Sequence, residues 1–432
     1  MGSTGWRGTL GTYHEVIGLT GPLLPVVSFL GRLPTATVQF GSVLLVARTS
    51  GSLADAGLTG GALAIGQVAC GPLVGRLADR HGQRTVVLAF SLTNALAIAA
   101  LVVGALAGLP APLLALLGAV AGASVPLIGP LARTRLVALA RRSGAPDATV
   151  GTALSFESAL DEVSFVLGPA LVGLAAVLAH PAHALGVAAF LVATCGTGFA
   201  LHPTARTTAA RYGPVATSGE RRSNRTPGPA PRRSRSLHPL CAALGLQGAM
   251  FGACQAGITA LTDRLGQPEQ AGLVYAAMGV MSAVAGLSMA AVPARIALRA
   301  RWRAATAAAF ALSLPLLWTD GLAALYAVVI VLGVAYAPHL ITVFALTERA
   351  VPKQRLAEAM ALGTSALVGG QALAVAVTGR LAESYGPTAA FAAASTAAAL
   401  AAAIAWTARP ATYTQRTEST FRARVPGSDT RA

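Results

Sequence analysis

The chain has 432 residues, is 54% hydrophobic and 11% charged, and carries a formal net charge of +16. Apolar runs of about 17–25 residues, enough to cross a ~30 Å hydrocarbon core, recur along it and leave no stretch for an independent soluble domain. The basic excess therefore does not point to nucleic acid as a partner. In chain order the runs predict membrane helices at 22–45, 58–74, 85–107, 112–131, 151–178 and 182–201, then at 237–261, 271–292, 304–318, 322–346, 357–377 and 388–406. The ninth is the shortest. Cys70, Cys195, Cys241 and Cys254 fall singly inside apolar runs, without metal-ligand or secreted-domain spacing, so neither a metal site nor a cofactor is expected.

The runs divide the chain into a cytoplasmic N-terminal segment (1–21), a six-helix bundle (22–201), a basic linker (202–236), a second six-helix bundle (237–408) and a disordered tail (409–432). The linker carries Arg221, Arg222, Arg225, Arg232 and Arg233 among prolines and glycines and lacks apolar periodicity. The first apolar run is too long for a cleavable signal peptide and has no small-residue cleavage site; it is expected to remain as a helix. All but one of the 32 basic residues are arginine, which we read as the coding bias expected of a GC-rich bacterial genome.

Charge sets the orientation, because short cytoplasmic loops carry the excess of Lys and Arg. One set of alternate loops holds Arg76, Arg80 and Arg84, then Arg133, Arg135, Arg141 and Arg142, then Arg295, Arg299, Arg301 and Arg303, then Arg349, Lys353 and Arg355. The other holds only Arg48, Arg264 and Arg380. Twelve helices with both termini cytoplasmic satisfy this count. The halves also repeat: Ala123-Ser124-Val125-Pro126 matches Ala335-Tyr336-Ala337-Pro338, and His180-Pro181 matches Gly386-Pro387, with Gly173 falling on Gly379. Parallel halves of this kind place substrate sites near the midplane at their interface.

Between the second and third helices stands Gly75-Arg76-Leu77-Ala78-Asp79-Arg80-His81-Gly82-Gln83-Arg84. The two glycines permit a tight turn, and Asp79 among arginines can form charge-assisted hydrogen bonds. The run resembles the cytoplasmic loop signature of the major facilitator superfamily, departing at Gln83. The resemblance implies an all-α membrane protein of the major facilitator fold, twelve transmembrane helices in two pseudo-symmetric six-helix bundles. It assigns Gly75, Asp79, Arg80, Gly82 and Arg84 to a gate in which Asp79 faces the start of the eleventh helix and a partner arginine. In the fifth helix, Gly168-Pro169-Ala170-Leu171-Val172-Gly173 resembles, in degraded form, the proline-glycine motif of drug/proton antiporters, with Gly168, Pro169 and Gly173 forming a pliable hinge. The arginine that the antiporter pattern has in the fourth helix, between Gly118 and Ala123, is absent.

Ionisable residues at membrane depth cost several kcal/mol unless paired or wet. Arg32 in the first helix and Asp161 and Glu162 in the fifth lie at similar depth, about 15 Å in, so an ion pair between those helices is permitted. Glu157 shares a face with Asp161 while Glu162 points about 100° away. Two carboxylates on one face do not both ionise comfortably, which makes Asp161 or Glu157 a proton carrier with Arg32 as competing partner. A static pair fixing the two helices is the alternative. Gln39 on the first helix, Gln247, Phe251 and Gln255 on the seventh, and Tyr336 and His339 on the tenth are candidates for a substrate surface, since the resemblance puts those helices around the cavity. Interhelical hydrogen bonding explains such polar stripes equally well.

Neither a nucleophile–base pair nor a phosphate-binding glycine loop appears, so an enzyme is not expected. The expected function is proton-coupled export of a small amphipathic or drug-like molecule through a bacterial inner membrane by a monomer. The partners are lipid, substrate and protons. Import or facilitated passage of a polar metabolite such as a sugar is the alternative, and it predicts a more polar cavity.

Overall fold

The computed structural model describes residues 3–206, 237–268, 270–293 and 295–408. Of the linker and tail expected above, 207–236 and 409–432 lie outside the described residues. All regular structure among the described residues is helical, with fourteen α-helices numbered here in chain order. α1 (Ser3–Thr20) precedes the first span. The first half continues with α2 (Leu23–Ser50), α3 (Leu53–His81), α4 (Gln83–Leu106), α5 (Ala111–Ala123), α6 (Ile128–Arg142), α7 (Asp147–Leu178) and α8 (Pro181–Leu201). The second comprises α9 (Leu237–Arg264), α10 (Gln270–Ser288), α11 (Leu298–Ser313), α12 (Leu322–Ala350), α13 (Leu356–Tyr385) and α14 (Pro387–Thr407).

Eleven units, with α5 and α6 counted as one, are long and apolar enough to cross a membrane. The twelfth is α11, which has 16 residues and continues as the 3₁₀ turn Leu314–Trp318. Large apolar side chains such as Leu96, Val177, Phe190 and Leu373 point outward, a surface that only lipid tolerates at this extent. Both α8 and α14 begin on proline, whose missing N–H is no loss in a first turn.

The fourth span differs from expectation. It does not end at Leu131; it breaks and continues to Arg142. Pro126 has no N–H and disfavours helix at Val125, and Leu127 adopts φ 50, the one positive φ among described non-glycine residues. Side chains serve the carbonyls at the break, as irregular backbone at membrane depth requires: Asn94 Nδ2 donates to Ala121 O at 2.6 Å, and Ser124 Oγ adds a bond of 2.7 Å to Val120 O, which also accepts from Ser124 N at 3.0 Å. The equivalent Pro338 stays inside a continuous α12. α6 packs against α1, α2, α7 and α13, so Arg133 and Arg135, expected in a loop, are buried.

The halves meet along two seams, α3 against α13 and α7 against α10, which exchange under a six-span shift. The signature is also less of a loop than expected. α3 runs through His81 and α4 starts at Gln83, leaving Gly82 alone as the turn, at φ 84. Only glycine adopts that conformation without strain.

Candidate functional site

On the face that carries the arginine-rich turns, here called the basic face, the halves are clasped together. A Cβ on Gly75 would lie 2.6 Å from Ala357 O and 2.7 Å from Ala361 Cβ, so this glycine serves close approach of α3 to α13 and not a turn. The contact brings Asp79 over the start of α13, where its carboxylate accepts from Ala357 N at 3.2 Å and Glu358 N at 2.8 Å. These are orphan donors of a helix N-terminus, where the dipole also favours negative charge. Beside them Arg76 pairs with Glu358 at 2.8 Å and Arg355 with Glu358 at 3.0 Å. Arg80 and Arg84 are exposed. Between the first half and α12, Arg141 pairs with Glu348 at 3.4 Å and Arg349 with Asp147 at 3.0 Å, while Arg141 also pairs with Asp147 inside the first half at 2.5 Å. α1 bridges the halves here as well. Its Tyr13 hydroxyl donates to Leu287 O of α10 at 2.6 Å, while Val16 packs on Leu136 and Ala153.

Deeper in the membrane the permitted ion pair is present and larger than expected. Arg32 of α2 pairs with Glu157, and with Asp161 at 2.7 Å; Arg133 of α6 pairs with the other oxygen of Asp161. Arg32 also donates to Ser28 O at 3.2 Å and Glu157 O at 3.1 Å. Gly129, one turn before Arg133, makes room: a Cβ there would sit 2.8 Å from Asp161 Oδ1. Two cations thus balance two carboxylates, and the crowding of like charges expected for Glu157 and Asp161 is relieved by Arg133. The charge clustered at 133, 135, 141 and 142 concealed Arg133. The apolar run Leu136-Val137-Ala138-Leu139-Ala140 between the pairs was the signal that the helix continues.

Glu162 stands apart. It turns toward the second half, facing Ser282 of α10, where Gly279 leaves so little room that a Cβ would lie 2.5 Å from Val166 Cγ2. Glu162 is buried, and among the described residues it forms no ion pair; Arg133 acts on it only at longer range. It lines a cavity of about 70 Å³ between the halves, with Asp161, Arg133, Tyr275, Thr364 and Gln371 as its other polar groups and Phe165, Phe251, Met278, Leu340 and Phe344 among its apolar ones. A second cavity of about 240 Å³ lies nearer the basic face, between α7 and α12, with Arg141, Arg301 and Arg349 on its wall.

The sequence matches the Major Facilitator Superfamily model over residues 18–366, and again over 240–428. The chain belongs to the Major Facilitator Superfamily. Solved structures agree on the fold. The human organic anion transporter MFSD10 (TETRAN) aligns at a TM-score of 0.64 and 18% identity, covering 91% of this chain and 98% of that one. A bacterial homologue of the iron transporter ferroportin, in an outward-facing state, aligns at 0.67 and 16%, covering 90% and 99%. The E. coli fucose:proton symporter FucP aligns at 0.59 and 14%, covering 90% and 98%. At these identities the likeness shows the fold alone. No curated protein sequence matches the chain. Proteins of this superfamily are transporters, and this chain is a multi-pass membrane protein of that kind.

Set in the superfamily fold, the expected substrate surface divides. Phe251 lines the central cavity and stacks on Tyr336, ring centroids 4.1 Å apart. Tyr336 itself is buried, its hydroxyl 3.5 Å from Cys254 Sγ. Gln247 donates to Tyr336 O at 2.9 Å and Gln39 to Gln67 Oε1 at 3.0 Å; both tie helices together. Gln255 is half-buried and His339 buried with its Nε2 unpartnered, and neither lines this cavity. The three fifth-span residues also differ from one another. A Cβ on Gly168 would meet Ala36 Cβ at 2.7 Å and Thr37 N at 2.8 Å, while Gly173 has nothing within 4 Å, and Pro169 lies inside an uninterrupted α7.

Gln83, the departure from the signature, is buried in a network of its own. It donates to Thr134 Oγ1 at 2.7 Å and accepts from Arg135 Nε at 3.0 Å. Arg135 in turn donates to Phe199 O at 2.9 Å and lies 3.8 Å over the Phe199 ring.

Proposed function

We propose that this transporter exports an amphipathic organic cation in exchange for protons, with Glu162 as the group both occupy. The observation that carries this is an unpaired carboxylate in a small, largely aromatic and aliphatic cavity between the halves. Arg32, Arg133, Glu157 and Asp161 balance one another, so Glu162 leaves the site with one net negative charge. A largely apolar wall with one carboxylate left out of the ion pairs suits a cation with a hydrophobic body. The same wall is too poor in amides and hydroxyls for a sugar.

Exchange follows from the cost of burying charge. An ionised, empty Glu162 must be desolvated whenever both faces close, at several kcal/mol. A proton or a substrate cation removes that cost. The occluded intermediate is therefore reached only in a neutralised form, which excludes the empty return step and makes transport an exchange. The arginines at the turns support a cytoplasmic basic face, with both termini there, in a bacterial inner membrane. Protons then enter down their gradient as the cation leaves.

The test is binding of the lipophilic cation tetraphenylphosphonium to purified protein across pH. Affinity should rise with pH in the wild type as Glu162 ionises, and Glu162→Gln should bind weakly and without pH dependence. An unchanged pH dependence in the glutamine variant refutes the assignment.

A further inference from the structure

The central cavity and the larger cavity share α7 and α12 without being one space. On α7 the larger cavity reaches Leu154 and Ser155, and the central cavity begins at Asp161; at about 1.5 Å per residue this leaves about 9 Å of packed protein between them. On α12 the two alternate. Ile341 and Ala345 face the larger cavity, Leu340 and Phe344 the central one. The separating layer belongs to one apolar cluster that includes Val137, Leu154, Leu340, Ile341 and Phe344.

Phe344 is the largest of these five side chains and 1% exposed. It comes from the second half, whereas the group over its ring comes from the first: the Arg133 guanidinium carbon lies 4.3 Å from the ring centroid. Arg133 is equally buried, and its Nε has no hydrogen-bond partner. The aromatic face and Asp161 are what hold this cation, and a guanidinium out of water is drawn strongly to a ring face.

We infer that Phe344 is the gate between the central cavity and the basic face, and that Arg133 is its latch. The gate rests on the transport function proposed above but not on the identity of the coupling ion. Arg133 joins two events, because it holds Asp161 on one side and Phe344 on the other. While Asp161 and the ring both hold Arg133 the layer is shut; releasing either contact frees the guanidinium and unlatches the ring, opening the central cavity toward the basic face. Arg133 and Phe344 line the central cavity, and their role here is to control access to it from the basic face.

The experiment reads access directly and needs neither substrate nor gradient. Thr364 lines the central cavity. In a chain whose four cysteines are alanine, Thr364→Cys is exposed to a membrane-impermeant cationic methanethiosulfonate, added to one side of sealed vesicles of known orientation. Phe344→Ala, Arg133→Gln and Asp161→Asn should each raise labelling from the basic face at least about tenfold, the factor that corresponds to 1.4 kcal/mol. Labelling from the opposite face should stay the same. Phe344→Trp should label no faster than the parent, and Phe344→Ala with Arg133→Gln no faster than either alone. Unchanged basic-face labelling in Phe344→Ala overturns the gate. Equal increases from both faces overturn it too, since that is general loosening. If the gate variants behave as expected while Glu162→Gln still exchanges protons, the gate stands and the proton assignment alone fails.

Discussion

Replacing Asp79 with alanine should shift the molecule away from the state in which the basic face is closed, without unfolding either bundle. Its carboxylate satisfies two α13 amides, at 3.2 and 2.8 Å, and both lie across the seam. Loss of a helix cap costs about 0.5–2 kcal/mol, and loss of the negative charge at a partly buried helix N-terminus about 0.3–2 kcal/mol more. The neighbouring Arg76–Glu358 pair survives, but Arg76 is 41% exposed, and such pairs contribute at most about 1 kcal/mol. A net loss of about 2–3 kcal/mol is about 30- to 150-fold in the open-to-closed ratio. Spin labels at Arg84→Cys and Gln354→Cys, exposed positions on opposite halves, report it as a distance distribution in a chain freed of its other cysteines. The parent should give one short distance, and Asp79→Ala a second, longer population at the expense of the first. A distribution unchanged by Asp79→Ala would refute the cap as the lock.

Gly168→Ala should lower the melting temperature, because Ala36 and Thr37 stand within 2.8 Å of the new Cβ. Gly173→Ala, with open space around it, should raise stability by about 1 kcal/mol through helix propensity; thermal unfolding in detergent distinguishes the two, and equal effects would contradict the packing. Arg135→Met strands Gln83 Oε1 and Phe199 O, at about 1–3 kcal/mol for a buried group left unpaired. Adding Gln83→Leu should recover part of the lost melting temperature, and a double variant no better than the single would separate the two residues.

Helix number and fold were legible because the spans are long and strongly apolar, and the signature run carried the family. What was hidden was the partnering of charge. Arg133 and Arg135 look like loop arginines when charge is counted along the chain, and only the break at Pro126, with α6 packed on four other helices, takes them inside. The carboxylates at 157, 161 and 162 stood out at once. Which two are paired depends on the rotation of α7 and on an arginine from another helix, neither of which spacing along one helix determines. The glutamines of the first and seventh spans show the converse. Their helical spacing is real, but Gln39 and Gln247 bond neighbouring helices, and periodicity cannot separate a polar stripe turned to a neighbour from one turned to a cavity. Gly75 and Gly168 likewise read as turn and hinge, yet both are contact points between helices.

The most direct test is proton flux in proteoliposomes under an imposed pH gradient. Tetraphenylphosphonium should trigger dissipation of the gradient by the wild type and leave it standing in Glu162→Gln. Gradient-driven exchange that survives Glu162→Gln, or movement of a sugar without response to the cation, would contradict the account.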